Sequence, residues 1–197
     1  MNQPAKPVML AVPVNQGDHF TGSHTARVTV VEYGDFECPS CAQAYPAVKI
    51  MLKHFGDELR FVYRHFPQRE VHPHAELAAE VAEAAGAQHK FWPMHALLFE
   101  NQLHLKANSL RQYAAKAELD LERYDYERGD HVYLQRVQEH LAGGSRSGVR
   151  ATPHSSSTES CRTFRSASNA CKPPSTPRCA LNRELVICPS AIAGKRA

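Results

Sequence analysis

The run Arg27-Val-Thr-Val-Val-Glu-Tyr33, closed by Gly34 and Asp35, leads within a few residues into Cys38-Pro39-Ser40-Cys41 and then into a helical pattern. No other feature of the chain restricts its fold as much. The run is β-branched and apolar, about the length of a strand buried on both faces. Pro39 suits the first turn of a helix, where a missing N–H is not needed. Ala44, Val48, Met51, Leu52 and Phe55 then recur at helical spacing up to a natural stop at Gly56. Arg60-Phe-Val-Tyr-Arg-His-Phe66 reads as a second strand, ended by Pro67. Strand, helix and strand in this order predict a βαβ unit with a parallel pair and a right-handed crossover.

The junction places a C-x-x-C where a strand hands over to a helix. Unpaired backbone N–H groups and the macrodipole at a helix N-terminus favour a thiolate, so Cys38 is expected to titrate below a free cysteine and to act as the nucleophile. Cys41, one turn on and facing inward, is expected to resolve a mixed disulfide on Cys38. A bare C-x-x-C has three readings: half a zinc site, a structural pair or a redox pair. No second C-x-x-C or His-x-x-x-His stands at zinc-ligand spacing, and the βαβ context is the one a redox motif requires.

With 197 residues, 43% of them hydrophobic, the chain is long enough for one domain with a core. No apolar run approaches the roughly 20 residues of a membrane-spanning helix. The first residues lack the pattern of a secretory signal, so a cytoplasmic address and no membrane partner are expected. Residues 1–153 carry 16 Lys and Arg against 18 Asp and Glu, while 154–197 carry 7 against 2. The basic excess therefore belongs to the tail, and nothing in the body supports binding to nucleic acid.

From His74 the pattern becomes helical. Leu77, Ala78, Val81 and Ala85 form one apolar face, with Glu76, Glu80 and Glu83 assigned to solvent, and Phe91 to Leu103 is apolar enough to be buried. Ser109 is the expected N-cap for Leu110 to Ala117, and Asp130 for a helix carrying Leu134, Val137 and Leu141. Gly143 to Gly148 reads as a flexible return loop leading to Val149-Arg-Ala-Thr-Pro153.

Val30-Val-Glu-Tyr-Gly-Asp-Phe-Glu-Cys-Pro-Ser-Cys41 resembles the active-site segment of the DsbA-like branch of the thioredoxin superfamily. Lys90-Phe-Trp-Pro-Met-His95 and Gly148-Val-Arg-Ala-Thr-Pro153 resemble two further stretches of it, in order, so the likeness runs over residues 25–153. It implies an α/β thioredoxin-like fold with an inserted helical subdomain. The implied layout is an extension at 1–24, the βαβ half with the C-x-x-C at 25–70, the helical insertion at 71–142 and a return at 143–153. By the same resemblance Pro153 is a cis-proline lying against the cysteine pair and, with Thr152, offers backbone groups to a peptide substrate. Strongly oxidising periplasmic members carry Pro-His between the cysteines. Here Pro39 and Ser40 stand instead, which implies a milder oxidant or a reductase.

After Pro153 the expected strands and closing helix are missing. His154-Ser-Ser-Ser-Thr-Glu-Ser160 opens a stretch rich in Ser, Arg, Pro and Cys, so 154–197 reads as an aberrant, disordered tail. Joining the last base of each codon to the first two of the next is compatible with a family-like ending that begins Phe-Phe-Val-Asn-Gly. The reading is a frameshift, one base lost near codon 154, with the C-terminal strands and helix lost. Cys161, Cys171, Cys179 and Cys188 then have no selected role.

The function expected is that of a thiol-disulfide oxidoreductase acting on protein or peptide dithiols at Cys38 and Cys41, tuned by Pro39, Ser40 and Glu37. No bound cofactor or metal is expected, and a thioredoxin or glutathione system is the implied redox partner. Asp35 and Glu37 otherwise read as an exposed acidic turn, the twelve histidines as scattered surface residues, and Trp92 as core packing. The rival readings are a non-catalytic peptide-binding or chaperone-like module, and a zinc-stabilised domain using Cys38, Cys41 and tail cysteines.

Overall fold

The computed structural model describes residues 10–149 and the backbone of 183–187. Its sheet has the order β1-β3-β2-β4, formed by β1 (His19–Gly22), β2 (Val28–Gly34), β3 (Leu59–His65) and β4 (Arg183–Ile187). Between β2 and β3 runs α1 (Pro39–Phe55), and β2 and β3 pair in parallel with Val28 opposite Leu59 and Gly34 opposite His65. The expected βαβ unit is present. Its helix ends at Gly56, whose φ of 50° lies in the left-handed region where a side chain would be strained.

Alternation along β2 and β3 sends Val30, Phe61 and Tyr63 toward a large core and Val31, Tyr33 and Val62 toward a smaller one. The large core lies against α1 and the helical block α2 (Ala75–Ala87), α3 (Phe91–Glu100), α4 (Ala107–Lys116) and α5 (Leu121–Gly129). On the smaller core rests α6 (Leu134–Arg146), through Leu141.

Several local expectations are corrected. The stretch before residue 25 is not only an extension, since β1 pairs antiparallel with β3. Helix α4 begins at Ala107 after Lys106, so Ser109 lies within it, and Asp130 closes α5 rather than opening α6. The side-chain cap in this region is Asp120, whose Oδ1 accepts from the N–H groups of Glu122 at 3.0 Å and Arg123 at 3.1 Å. Gly143 and Gly144 are helical, not a loop. A Cβ on Gly144 would stand 2.8 Å from the rings of both Phe66 and Tyr33, so these glycines let α6 approach the sheet. Beyond Pro153, β4 pairs in parallel with β2, Val28 opposite Arg183 and Glu32 opposite Ile187. Thr152, Pro153 and the four tail cysteines lie outside the described residues.

Glu80 and Glu83 are buried rather than solvated, because each meets a partner from a distant segment. Glu80 bonds His131 at 3.0 Å. Glu83 accepts from His19 and His65, both at 2.9 Å, and pairs with Arg136 at 2.7 Å. His65 and His95 are likewise interior, not scattered over the surface.

Candidate active site

Cys38 is the N-cap of α1, with an extended backbone at φ −76° and ψ 122°. Its carbonyl accepts from the N–H groups of Cys41 at 3.1 Å and Ala42 at 3.2 Å, which opens the helix and leaves the sulfur beside the first turn. Pro39 occupies that turn and is exposed, Ser40 is half-buried, and Cys41 faces the core. Both cysteines are free thiols.

The two sulfurs are driven apart in acidity. Cys38 is lowered to about 6, first by a hydrogen bond from the Cys41 thiol and then by the N–H groups of Cys41 and Ser40, against burial and the Asp35 charge. Cys41 is raised well above the ordinary thiol value by donating to Cys38, by burial and by the charge of Glu32. At neutral pH one sulfur is therefore a thiolate and the other a thiol.

The sequence reading missed Glu32. It sits on β2 opposite Tyr63, on the α1 side of the sheet, with 3% of its surface exposed. Burial, with the Cys38 charge adding to it, raises its carboxyl to about 8. The available signal was a lone acid inside a run expected to be buried on both faces. Gly34, two residues on, has no room for a Cβ, which would lie 2.4 Å from the Tyr63 ring.

Asp35 and Glu37 do not form an exposed acidic turn. Asp35 is 3% exposed and accepts from the N–H of Glu37 at 2.8 Å, the N–H of Gln68 at 2.9 Å and the His72 ring at 2.8 Å. Glu37 is half-buried and accepts from the N–H of His74, at the start of α2, at 2.7 Å. Gln102 closes the other side, donating to the carbonyls of Phe36 at 3.0 Å and Cys38 at 2.7 Å. The turn that carries Cys38 is thus tied to two segments, through bonds that span 33 to 66 residues. Trp92 packs as expected, with its indole N–H on the Phe20 carbonyl at 2.9 Å.

Among the described residues, His65, Glu83 and His140 bring one donor atom each within 4.8 Å of one another. The carboxylate there is already shared by His19, His65 and Arg136, and a divalent cation would be set beside a guanidinium. That donor set does not fit a metal.

A parallel βαβ unit with a helical insertion and an acidified cysteine at the N-terminus of its helix defines a thiol-redox class of fold. The family profile described as Thioredoxin matches residues 14–154, and the chain belongs to that family. Over 145 residues it is 48% identical to Na(+)/H(+) antiporter NhaA 1 of Salinispora arenicola, a match covering 73% of this chain and 22% of the antiporter. The chain thus matches less than a quarter of the length of that relative. Among solved structures, BdbD from Bacillus subtilis aligns at TM-score 0.62 with 24% identity, covering 72% of this chain and 81% of that one. The thiol-disulfide exchange protein alpha-DsbA2 from Wolbachia pipientis aligns at 0.62 with 15% identity, covering 71% and 75%. A periplasmic thioredoxin-like protein from Salmonella enterica serovar Typhimurium aligns at 0.55 with 21% identity, covering 69% and 75%. The structural neighbours are DsbA-like, and at these identities the likeness is one of fold.

These matches correct the cytoplasmic expectation. One fold neighbour is periplasmic and the sequence relative is an antiporter, which works across a membrane. The fold and its cysteine chemistry carry no compartment signal of their own, and the first residues assign none. No helix among the described residues is long and apolar enough to cross a membrane.

Proposed function

We propose that the chain is a thiol-disulfide oxidoreductase that acts on protein or peptide disulfides through a mixed disulfide at Cys38. The observation that carries this is the opposite displacement of two neighbouring thiols, Cys38 down to about 6 and Cys41 well up, at the start of one helix. In the reducing direction the Cys38 thiolate attacks a substrate disulfide. The substrate S–S bond breaks, a new bond forms to Cys38, and the departing thiolate takes a proton from water. Cys41 then gives its proton to the Glu32 carboxylate and attacks the Cys38 sulfur. The second substrate thiolate leaves, so the substrate gains two electrons and the cysteine pair becomes a disulfide. A thioredoxin or glutathione system restores the pair, and the same steps in reverse oxidise a dithiol.

Glu32 suits this role because its raised carboxyl lies close to operating pH, where a general base is most effective. The Cys38 value lies between about 3.5 for the strongest disulfide oxidant and about 7 for thioredoxin, which supports the milder poise inferred from Ser40. Thr152 and Pro153 are proposed to hold the peptide backbone. The antiporter name belongs to a protein of which the match covers 22%, so the chemistry proposed is that of the matched segment and not ion exchange.

Insulin reduction tests the proposal. Cys38→Ser should abolish turnover, and Cys41→Ser should accumulate a covalent substrate adduct. Undiminished turnover in Cys38→Ser overturns it, as does a wild-type chain that binds unfolded clients without exchanging disulfides.

A further inference from the structure

The Pro-Ser dipeptide leaves no histidine between the cysteines, yet an imidazole reaches the same turn from elsewhere. His72, in the segment joining β3 to α2, places Nδ1 2.8 Å from Oδ2 of Asp35. That carboxylate is 2% exposed at its side chain, whereas 18% of the His72 side chain meets solvent. Asp35 is coupled to the cysteines in two ways. Its main-chain N–H donates to the Cys41 sulfur at 3.4 Å, and its negative charge opposes ionisation of Cys38. Two of its three partners, the N–H groups of Glu37 and Gln68, are neutral and fixed. His72 is the partner able to carry a cation.

The neighbouring groups leave the pairing undisturbed. On its own segment Arg69 is paired with Glu76 of α2, and Glu70 and His74 are the other titratable groups there, while Glu80 and Glu83 further along α2 are engaged by His131 and by His19, His65 and Arg136. On the β2–α1 turn, Glu37 is engaged by the N–H of His74, and Cys38 is the group to be tuned. Behind the turn stand Glu32, Cys41 and Tyr63, all buried.

We propose that His72 is a positioning residue for the Cys38 thiolate: its protonated ring cancels the Asp35 charge and so fixes what fraction of Cys38 is ready to attack. This rests on the thiol-disulfide reading.

The test is titration of Cys38 by thiolate absorbance and by the rate of iodoacetamide modification. His72→Asn retains a side-chain amide able to donate to Asp35 but cannot be charged. It should melt as the wild type does, yet titrate higher and alkylate roughly 3- to 10-fold more slowly at pH 6. Asp35→Asn should shift Cys38 the opposite way, and His72→Asn should add nothing on that background. A wild-type thiol that is acidified but indifferent to His72→Asn overturns this inference alone, as does a His72→Asn effect that survives in Asp35→Asn. A wild-type Cys38 that titrates like free cysteine overturns both the inference and the redox reading.

Discussion

The Glu83 carboxylate on α2 accepts a hydrogen bond from His65 on β3 at 2.9 Å, with both side chains sealed from solvent. His19 from β1 and Arg136 from α6 converge on the same carboxylate. One buried charge therefore joins two sheet strands to two helices. Burial raises such a group, but the bonds from His19 and His65 hold Glu83 well below the usual carboxylate range. Glu83→Gln leaves Arg136 and the imidazoles without their anion. We expect a loss of about 3–5 kcal/mol, read as a lower urea midpoint with an unchanged m-value.

Acid should weaken the fold before Glu83 itself is protonated. Burial pushes both His95 and His140 down to about 3, so the folded chain refuses protons that the unfolded chain accepts below about 6.5. Stability is then complete above that value and falls as pH drops toward 3, by about 1.4 kcal/mol per pH unit for each histidine. His95 is ringed by Phe36, Tyr63, Phe91 and Phe99, so His95→Phe keeps an aromatic ring there. Thermal melts between pH 4 and 6.5 should show a slope shallower by about one proton in that variant.

Glu32 has the opposite sign. Its folded value of about 8 stands above the ordinary carboxyl value of 4.5, so the wild-type chain loses stability as pH rises between the two. Cys38, lowered by the fold, contributes the reverse slope from about 6 upward, so the informative quantity is a difference between variants. Glu32→Gln should equal the wild type near pH 4.5 and exceed it by about 1.4 kcal/mol for each further unit up to 8. The same variant should reduce insulin about 100-fold more slowly, with the mixed disulfide building up in rapid-quench samples.

Gly144→Ala sets two effects against each other. Alanine in a helix interior is favoured over glycine by about 1 kcal/mol. The new methyl would press on the Phe66 and Tyr33 rings at 2.8 Å, and overpacking of this kind costs about 1–3 kcal/mol. Crowding should win, and the melting temperature should fall by several degrees.

What was legible in the sequence was what local spacing encodes. The β-branched run before Cys38, the helical period after it and the second run ending at Phe66 fix β2, α1 and β3 because each is decided by residues a few positions apart. The acids were not legible in this way. Glu80, Glu83 and Asp35 stand at positions that read as solvent-facing, and their burial depends on His131, His65 and His72, which are 51, 18 and 37 residues distant. The glycines at 143 and 144 carry a loop signature, and only the approach of Phe66 and Tyr33 turns them into a helix face. Glu32 is the intermediate case: the burial of its strand was readable, but the raised carboxyl that follows from that burial and from the Cys38 charge was not.

Cys41 is 3% exposed and lies behind Cys38. Of these two cysteines, oxidants and foreign thiols arriving from solution therefore meet only Cys38, and whatever bond they make there stays within reach of the hidden Cys41. The arrangement is self-clearing at that sulfur: a stray adduct on Cys38 is expelled by ring closure inside the same chain.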